Sequence, residues 1–535
     1  MGDQINSTLS RTAFTAVCRQ LEESIRSEKA SASFACGGTI PVRNIDESQD
    51  VGALKSSGPI NVFWKLKSGA QKLTLPLGSC VDGDVEDGSN TRLRQLVADC
   101  EPAGFGRGQE DVMDLEYRRA GKLETHQFAT SFHPADFGIV ERVEQVLLPT
   151  LNQPKEPKEP SESSESRKSG KSSKSSEPND AKEASGNVLQ MRRMEIELYK
   201  LNVYSGPSGL FKSHVDTPRS MNQIGSLVVC LPSPFKGGNL MVRHEGREVD
   251  FDWEHQSADT IQWAAFYSDC EHEIKTITEG DRITLTYNLY AVTELLDKAN
   301  RISAVIDPKS FPLYGFFRDI LMMPGFMKKG GVLGVFCSHA YPHASDNASI
   351  LLPRGLKGAD LVLFSVLHSL GVEVDVLPVM FAHGFRDMTR DYWDSEDYDD
   401  SEHDDDTGID HNENSKNKGK NNNKGQEIDD VDSYAYLDPG LKTHIGKSLN
   451  PFVAADSYED QPFVELLNES WPTREYGKPI TWITTPLLEN MQHAMAWMAY
   501  GNQASQAESY SYAAILAVIP AWNERQQLLG RIQNE

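Results

Sequence analysis

Residues 198–220, LYKLNVYSGPSGLFKSHVDTPRS, and residues 263–290, WAAFYSDCEHEIKTITEGDRITLTYNLY, decide how the whole chain is read. Both carry stretches that alternate apolar and polar side chains with period two, the mark of a strand with one buried face. Segments of the same kind recur around them: EIELYKLNVY, SLVVCLP, GGNLMVRHE, REVDFDW and TIQWAAFYS, with Glu245-Gly246 as a tight turn. Many short strands separated by turn residues predict a sandwich or barrel.

Two side chains in the first stretch suggest chemistry. His214 and Asp216 flank Val215, so on an extended chain they project from one face. An imidazole and a carboxylate so placed can occupy neighbouring corners of a metal ion, and His244, His255 and His272 are available as a third ligand. Two His and one carboxylate on one face of an octahedron describe the facial triad of non-haem Fe(II) oxygenases, which leaves three positions open. If the co-substrate is a 2-oxo diacid chelating through its oxo-acid end, its far carboxylate needs a fixed cation. Arginine fits best because its planar fork bonds a carboxylate twice. Of the three histidines, only His272 is followed ten residues later by an Arg, Arg282; His244 has Glu254 there and His255 has Ala265. The spacing selects His272 and predicts a ligand strand, a turn at Glu279-Gly280-Asp281, and a return strand that sets Arg282 beside it.

The wording FKSHVDTPRS, SLVVCLP, WAAFYSDCEHE and RITLTYNLY resembles the prolyl 4-hydroxylase-like group of Fe(II)/2-oxoglutarate dioxygenases, in an uncharacterised fungal-type branch. The resemblance implies an α+β chain whose core is a double-stranded β-helix, or jelly-roll, buttressed by helices. It implies Fe(II) on His214, Asp216 and His272, and the 2-oxoglutarate C5 carboxylate on Arg282. Tyr204, ten residues before His214, would add a hydroxyl to the same carboxylate. Oxygen is the implied second co-substrate and ascorbate an accessory reductant. The implied reaction couples decarboxylation of 2-oxoglutarate to succinate with hydroxylation of a substrate C–H, first of all in a prolyl residue of a protein. A small-molecule substrate would be served by the same residues. A catalytically inert scaffold, using acidic tails to bind basic partners, is the reading from a different class. Where related hydroxylases carry a second Tyr after the His-x-Asp turn, this chain has Cys230 or a neighbour. Arg219, in DTPRS, reads equally as facing substrate or as a structural charge.

Composition bounds the rest. The chain has 535 residues, 39% hydrophobic, and a formal net charge of -25, with a mean hydropathy of -0.48. Such charge would repel a phosphate backbone and argues against nucleic acid as a partner. Seven cysteines at scattered positions form no Cys-x-x-Cys, which reads as reduced thiols. With no apolar leader and no run of ~18 apolar residues, the expected location is cytoplasmic or nuclear, away from any membrane. Oligomeric state is left open.

Four stretches follow. Residues 1–151 form a helix and strand region: an amphipathic helix within 10–26, extended ASFACGGTIPV, a hairpin INVFWKLKSGAQKLTLPL turning at Ser68-Gly69, a helix near 92–99, and helices in EDVMDLEYRRAGKL and DFGIVERVEQVLLPTL. Residues 152–186, rich in Lys, Glu, Ser and Pro, cannot bury enough surface to order themselves. Residues 187–297 are the expected oxygenase core. Residues 298–535 are expected to be α/β, with a helix at 359–370 capped by Gly371, a disordered acidic and polar insert at 391–432, and a buried strand SYAAILAVIP. His339 and His343 stand four apart, but Pro342 between them argues against a helix, and neither is read as a ligand.

Overall fold

The computed structural model describes residues 9–42, 56–66, 69–78, 87–107, 110–151, 192–293, 305–343, 352–381, 443–445, 480–500 and 503–526. The linker at 152–186 and the acidic insert at 391–432 lie outside these residues.

The alternating segments form eight strands, β1 (Arg192–Ser205), β2 (Leu210–His214), β3 (Gln223–Cys230), β4 (Leu240–His244), β5 (Arg247–Phe251), β6 (Thr260–Tyr267), β7 (Glu271–Ile274) and β8 (Ile277–Thr293), with the short strand Phe235–Gly237 between β3 and β4 pairing with β8. They divide between two sheets, in the order β6-β3-β8-β1 and β5-β4-β7-β2, and every one of these pairs is antiparallel. The result is an antiparallel two-sheet sandwich, in keeping with the expected jelly-roll. Leu227, Val229, Leu240, Val242, Ile261, Trp263, Ile283 and Leu285 are all buried in one hydrophobic core. Glu245 and Gly246 take φ of 47° and 72°, the left-handed pair that a two-residue hairpin loop requires.

Earlier strands widen both sheets. Ala35–Pro41 pairs with β6, Gly121–Glu124 with β1, and Arg118–Arg119 with β2. Ile60–Leu66 and Gly69–Leu75 form the expected hairpin, Leu66 pairing with Gly69; Ser68 itself lies outside the described residues. The helix Ile139–Leu147 packs Ile139, Val143 and Leu147 into the jelly-roll core. The helix Arg11–Ser31, N-capped by Ser10, turns Cys18, Leu21 and Ile25 elsewhere, into a second core with Leu313, Phe317 and Ile320. That core also holds the helix Gly358–Ser369, and it packs against a six-stranded sheet whose central strand, Gln503–Ile519, contains the expected buried segment. Gly371, at φ 72°, follows the helix as expected. Among the described residues no helix is long and apolar enough to cross a membrane.

Buried polar groups join these parts. The Arg192 guanidinium donates to the carbonyl oxygens of Pro149, Arg354 and Leu356 at 2.6, 2.8 and 3.1 Å. The Tyr267 hydroxyl donates to Leu147 O at 2.9 Å and accepts from Gly358 N at 3.1 Å.

Two expectations are corrected. EDVMDLEYRRAGKL is not a helix: it forms Glu110–Val112, one turn closed on the Asp114 carbonyl, the edge strand Arg118–Arg119, and the strand Gly121–Glu124 between β1 and Glu101–Pro102. Met113 and Leu115 are exposed, so the apolar spacing that suggested a helix has no core to face, and pairing with β1 and β2 wins over propensity. Glu279-Gly280-Asp281 is not a turn either. β8 runs straight through it, Phe235 pairing with Gly280. The chain crosses between sheets earlier, at Lys275-Thr276. Gly280 marks a left-handed bend inside the strand, at φ 74°, where a Cβ would lie 2.2 Å from Pro234 O. His272 and Arg282 therefore stand on facing sheets rather than on one hairpin.

Candidate metal centre

The register of β2 on β7 sets His214 directly opposite His272, with imidazole centroids 4.2 Å apart. Asp216, two residues past His214 at the end of β2, brings Oδ1 to 3.8 Å from His272 Nε2. One donor atom from each of the three lies within 4.8 Å of the other two. Each imidazole is oriented from behind. His214 Nδ1 bonds the Lys212 carbonyl at 2.8 Å and His272 Nδ1 bonds the Cys270 carbonyl at 3.0 Å. A carbonyl only accepts, so both Nδ1 atoms carry the proton and both Nε2 lone pairs are free. This is the tautomer that a metal ligand needs, with the backbone acting as the orienting partner.

Neighbours fix the charges. Burial, and then His272, push the His214 pKa down to about 3, so its imidazole stays neutral at ordinary pH. Burial alone would raise the Asp216 carboxyl, but His272, the Ser226 hydroxyl and His214 overcome it and hold the pKa below the usual value. Ser226 Oγ, on β3, donates to Asp216 Oδ2 at 2.5 Å. The Phe211 ring stacks on His214 at 3.6 Å, and the Arg118 guanidinium lies 4.3 Å from the Phe211 ring centre. Arg118 is itself tied to Gly104 O and Asn202 Oδ1. Ser226, Phe211 and Arg118 were not singled out in the sequence. Only Ser226 carried a signal, as a polar residue inside the apolar run SLVVCLP.

Arg282 is fully buried. Its Nη1 donates to Gly238 O at 2.5 Å, while Nε and Nη2 have no hydrogen-bond partner. The guanidinium lies 4.8 Å from the Trp253 ring centre, and the Cys230 sulfur beside it is a weak acceptor. Burial pushes the Cys230 thiol up to about 11, so it carries no charge to balance the cation. Tyr204 pairs with Arg282 across β1 and β8 and is likewise buried. Among the described residues no carboxylate faces it, and a buried guanidinium whose spare donors meet at most a thiol is costly. An incoming carboxylate would relieve both deficits.

The remaining sequence candidates fall elsewhere. His255 is exposed, 3.9 Å from Asp252, and His244 joins a different cluster. Arg219 stacks on Tyr199, 3.9 Å from the ring centre, and donates to the Tyr199 hydroxyl. His343 is held by Tyr341 O and Ser511 Oγ, apart from His339.

Acid titration follows from these environments. Burial pushes His214 and His244 down to about 3 and His343 to about 4, whereas the unfolded chain takes up each proton near ~6.5. Between those values the unfolded state binds more protons, so the metal-free protein loses stability as pH falls from about 6.5 toward 4, by up to about 1.4 kcal/mol per pH unit for each group. Urea unfolding at pH 7 and pH 5 should show the lower midpoint at pH 5. Equal midpoints would contradict the assignment of neutral buried imidazoles.

No family model matches the sequence, and no curated protein matches it. Solved structures with some likeness include a prolyl-4-hydroxylase from Pseudomonas putida, 14% identical, covering 38% of this chain and 83% of that one at a TM-score of 0.20. A 2OG-Fe(II) oxygenase family oxidoreductase from Burkholderia pseudomallei is 14% identical over 38% of this chain and 78% of its own, at a TM-score of 0.19. A prolyl hydroxylase from Trichoplax adhaerens, in complex with a hypoxia inducible factor peptide fragment, is 19% identical over 18% of this chain and 44% of its own, at 0.15. At such values the likeness is slight, and the convergence of His214, Asp216 and His272 stands on the geometry of this chain alone.

Proposed function

We propose that the chain is an Fe(II)- and 2-oxoglutarate-dependent dioxygenase with a jelly-roll catalytic core in residues 187–297, hydroxylating a C–H bond in a protein, with a prolyl residue as first candidate. The carrying observation is that two imidazoles with free Nε2 lone pairs and one carboxylate converge from β2 and β7. Two nitrogens and one oxygen suit Fe(II), and three ligands leave room for a chelating co-substrate and oxygen.

His214, Asp216 and His272 would hold the ion, with Ser226 orienting the carboxylate. When bound, Fe(II) with 2-oxoglutarate and oxygen supplies the oxidation of the substrate C–H. Arg282 and Tyr204 would bind the distal carboxylate of 2-oxoglutarate, and the buried Trp253 and Phe235 keep water from that end. The rim is open: Val215 is 52% exposed, and Thr217 and Pro218 are exposed beside it. An open rim accepts a polypeptide segment, which favours a protein over a small molecule. The inert-scaffold reading leaves the buried, uncompensated Arg282 without a purpose.

Cell extract incubated with the wild type, Fe(II) and 2-oxoglutarate should contain a protein that has gained one oxygen atom relative to extract incubated with His214→Ala. Intact-mass and peptide mapping read the gain and its residue. Gain only on small metabolites would transfer the assignment to a small-molecule oxygenase, and no succinate with any extract would remove it.

A further inference from the structure

A second group of donors gathers where the jelly-roll meets the region that follows it. His244 ends β4, Asp269 lies in the turn between β6 and β7, and His339 follows the strand Gly331–Phe336. Their side chains are 5%, 10% and 4% exposed. One donor atom from each lies within 4.8 Å of the other two. His339 Nδ1 is 2.9 Å from Asp269 Oδ2, and His244 Nε2 is 3.9 Å from the same oxygen. Those two lengths bracket the roughly 3.3 Å edge of a tetrahedron with ~2.0 Å bonds, the geometry of zinc held by nitrogen and oxygen.

One further feature suits a bound ion. The carboxylate is divided in its duties: Oδ1 accepts from Lys357 Nζ at 2.9 Å while Oδ2 faces both imidazoles. A metal-bound carboxylate ordinarily has its second oxygen hydrogen-bonded in this way. Ala340 N also donates to Oδ2, at 2.9 Å, and fixes it in position.

The Lys357 ammonium bears the same sign as a metal ion and is held on the other oxygen of the carboxylate, Oδ1. Glu245 follows His244 and lines a surface cleft together with His339, Lys29 and Arg247. The proton now shared between His339 Nδ1 and Asp269 would move to Nε2, so binding needs no other reactant.

We infer that His244, Asp269 and His339 form a second site for a divalent transition-metal ion of the zinc class, which staples the region after the jelly-roll to its core. His339 comes from the region after the jelly-roll and the other two ligands from β4 and the β6–β7 turn, so a bound ion crosslinks the two. The site is independent of the function proposed for the facial triad.

The test uses the full chain carrying Asp216→Ala, which empties the first site. After stripping with EDTA and dialysis against Zn2+, elemental analysis should find one equivalent per chain, and the melting temperature should be higher with Zn2+ than with EDTA. Adding His339→Gln should remove the equivalent and the shift together. If that double variant fails to fold, His244→Gln in the same background must do so, because the amide keeps most of the ring's packing. A folded Asp216→Ala chain that binds no zinc overturns the proposal. So does retention of the equivalent after His244→Gln or His339→Gln, and the cluster is then a metal-free Lys–Asp–His network.

Discussion

Asp216→Ala is expected to give a folded protein that neither retains Fe(II) at the triad nor forms succinate from 2-oxoglutarate. Asp216 is the one oxygen donor of the three and, among the described residues, the one carboxylate grouped with the two imidazoles, so without it a cation would meet two neutral nitrogens. Losing a hydrogen bond behind a ligand ordinarily costs about 10- to 100-fold in metal affinity, and losing the ligand itself should exceed that. The fold should tolerate the change. Asp216 is part-exposed, and the buried Ser226 hydroxyl that it leaves without an acceptor costs about 1–3 kcal/mol. Metal content and succinate release, measured beside the circular dichroism spectrum, decide the matter. Wild-type turnover in the variant would remove Asp216 from the site.

Arg282→Leu should separate co-substrate binding from metal binding. The 2-oxoglutarate concentration for half-maximal turnover is expected to rise about 100-fold or more, since truncating one side of a buried charge pair costs about 2–5 kcal/mol. Fe(II) affinity should change only a few-fold, because the triad stands on β2 and β7 while Arg282 stands on the facing sheet. The melting temperature should hold or rise: leucine removes a buried cation whose Nε and Nη2 groups have at most a weak thiol acceptor. This pairing of outcomes is diagnostic, as a merely structural arginine would lower stability and leave the co-substrate requirement alone. An unchanged requirement would put the anchor elsewhere.

What the sequence made legible was local. Period-two alternation and the Glu245-Gly246 turn gave the strands, because both depend on residues that are neighbours in the chain. The pairing of His214 with His272 could be guessed only through the Arg spacing, and the physical reason for that guess was mistaken. Gly280 reads as a turn residue, yet in the structure it relieves a close approach to Pro234 within an unbroken strand. The arginine reaches the interior from the other sheet, which no spacing rule would state. Arg118 was missed because a polar stretch paired at a sheet edge looks like a helix when taken by itself. The group of His244, Asp269 and His339 was invisible for another reason. Asp269 and His339 are 70 residues apart, and only the packing of the last region against the core brings them into contact.

Arg192 carries one more consequence. Its donors are shared among carbonyls that precede β1 and others more than a hundred and fifty residues beyond it, and burial lowers its pKa to about 10. If either flank came away first, a cation would be stranded in an apolar interior. Partial opening at this junction is therefore penalised, and the flanks and the sandwich should melt together in one cooperative transition, not as separable modules.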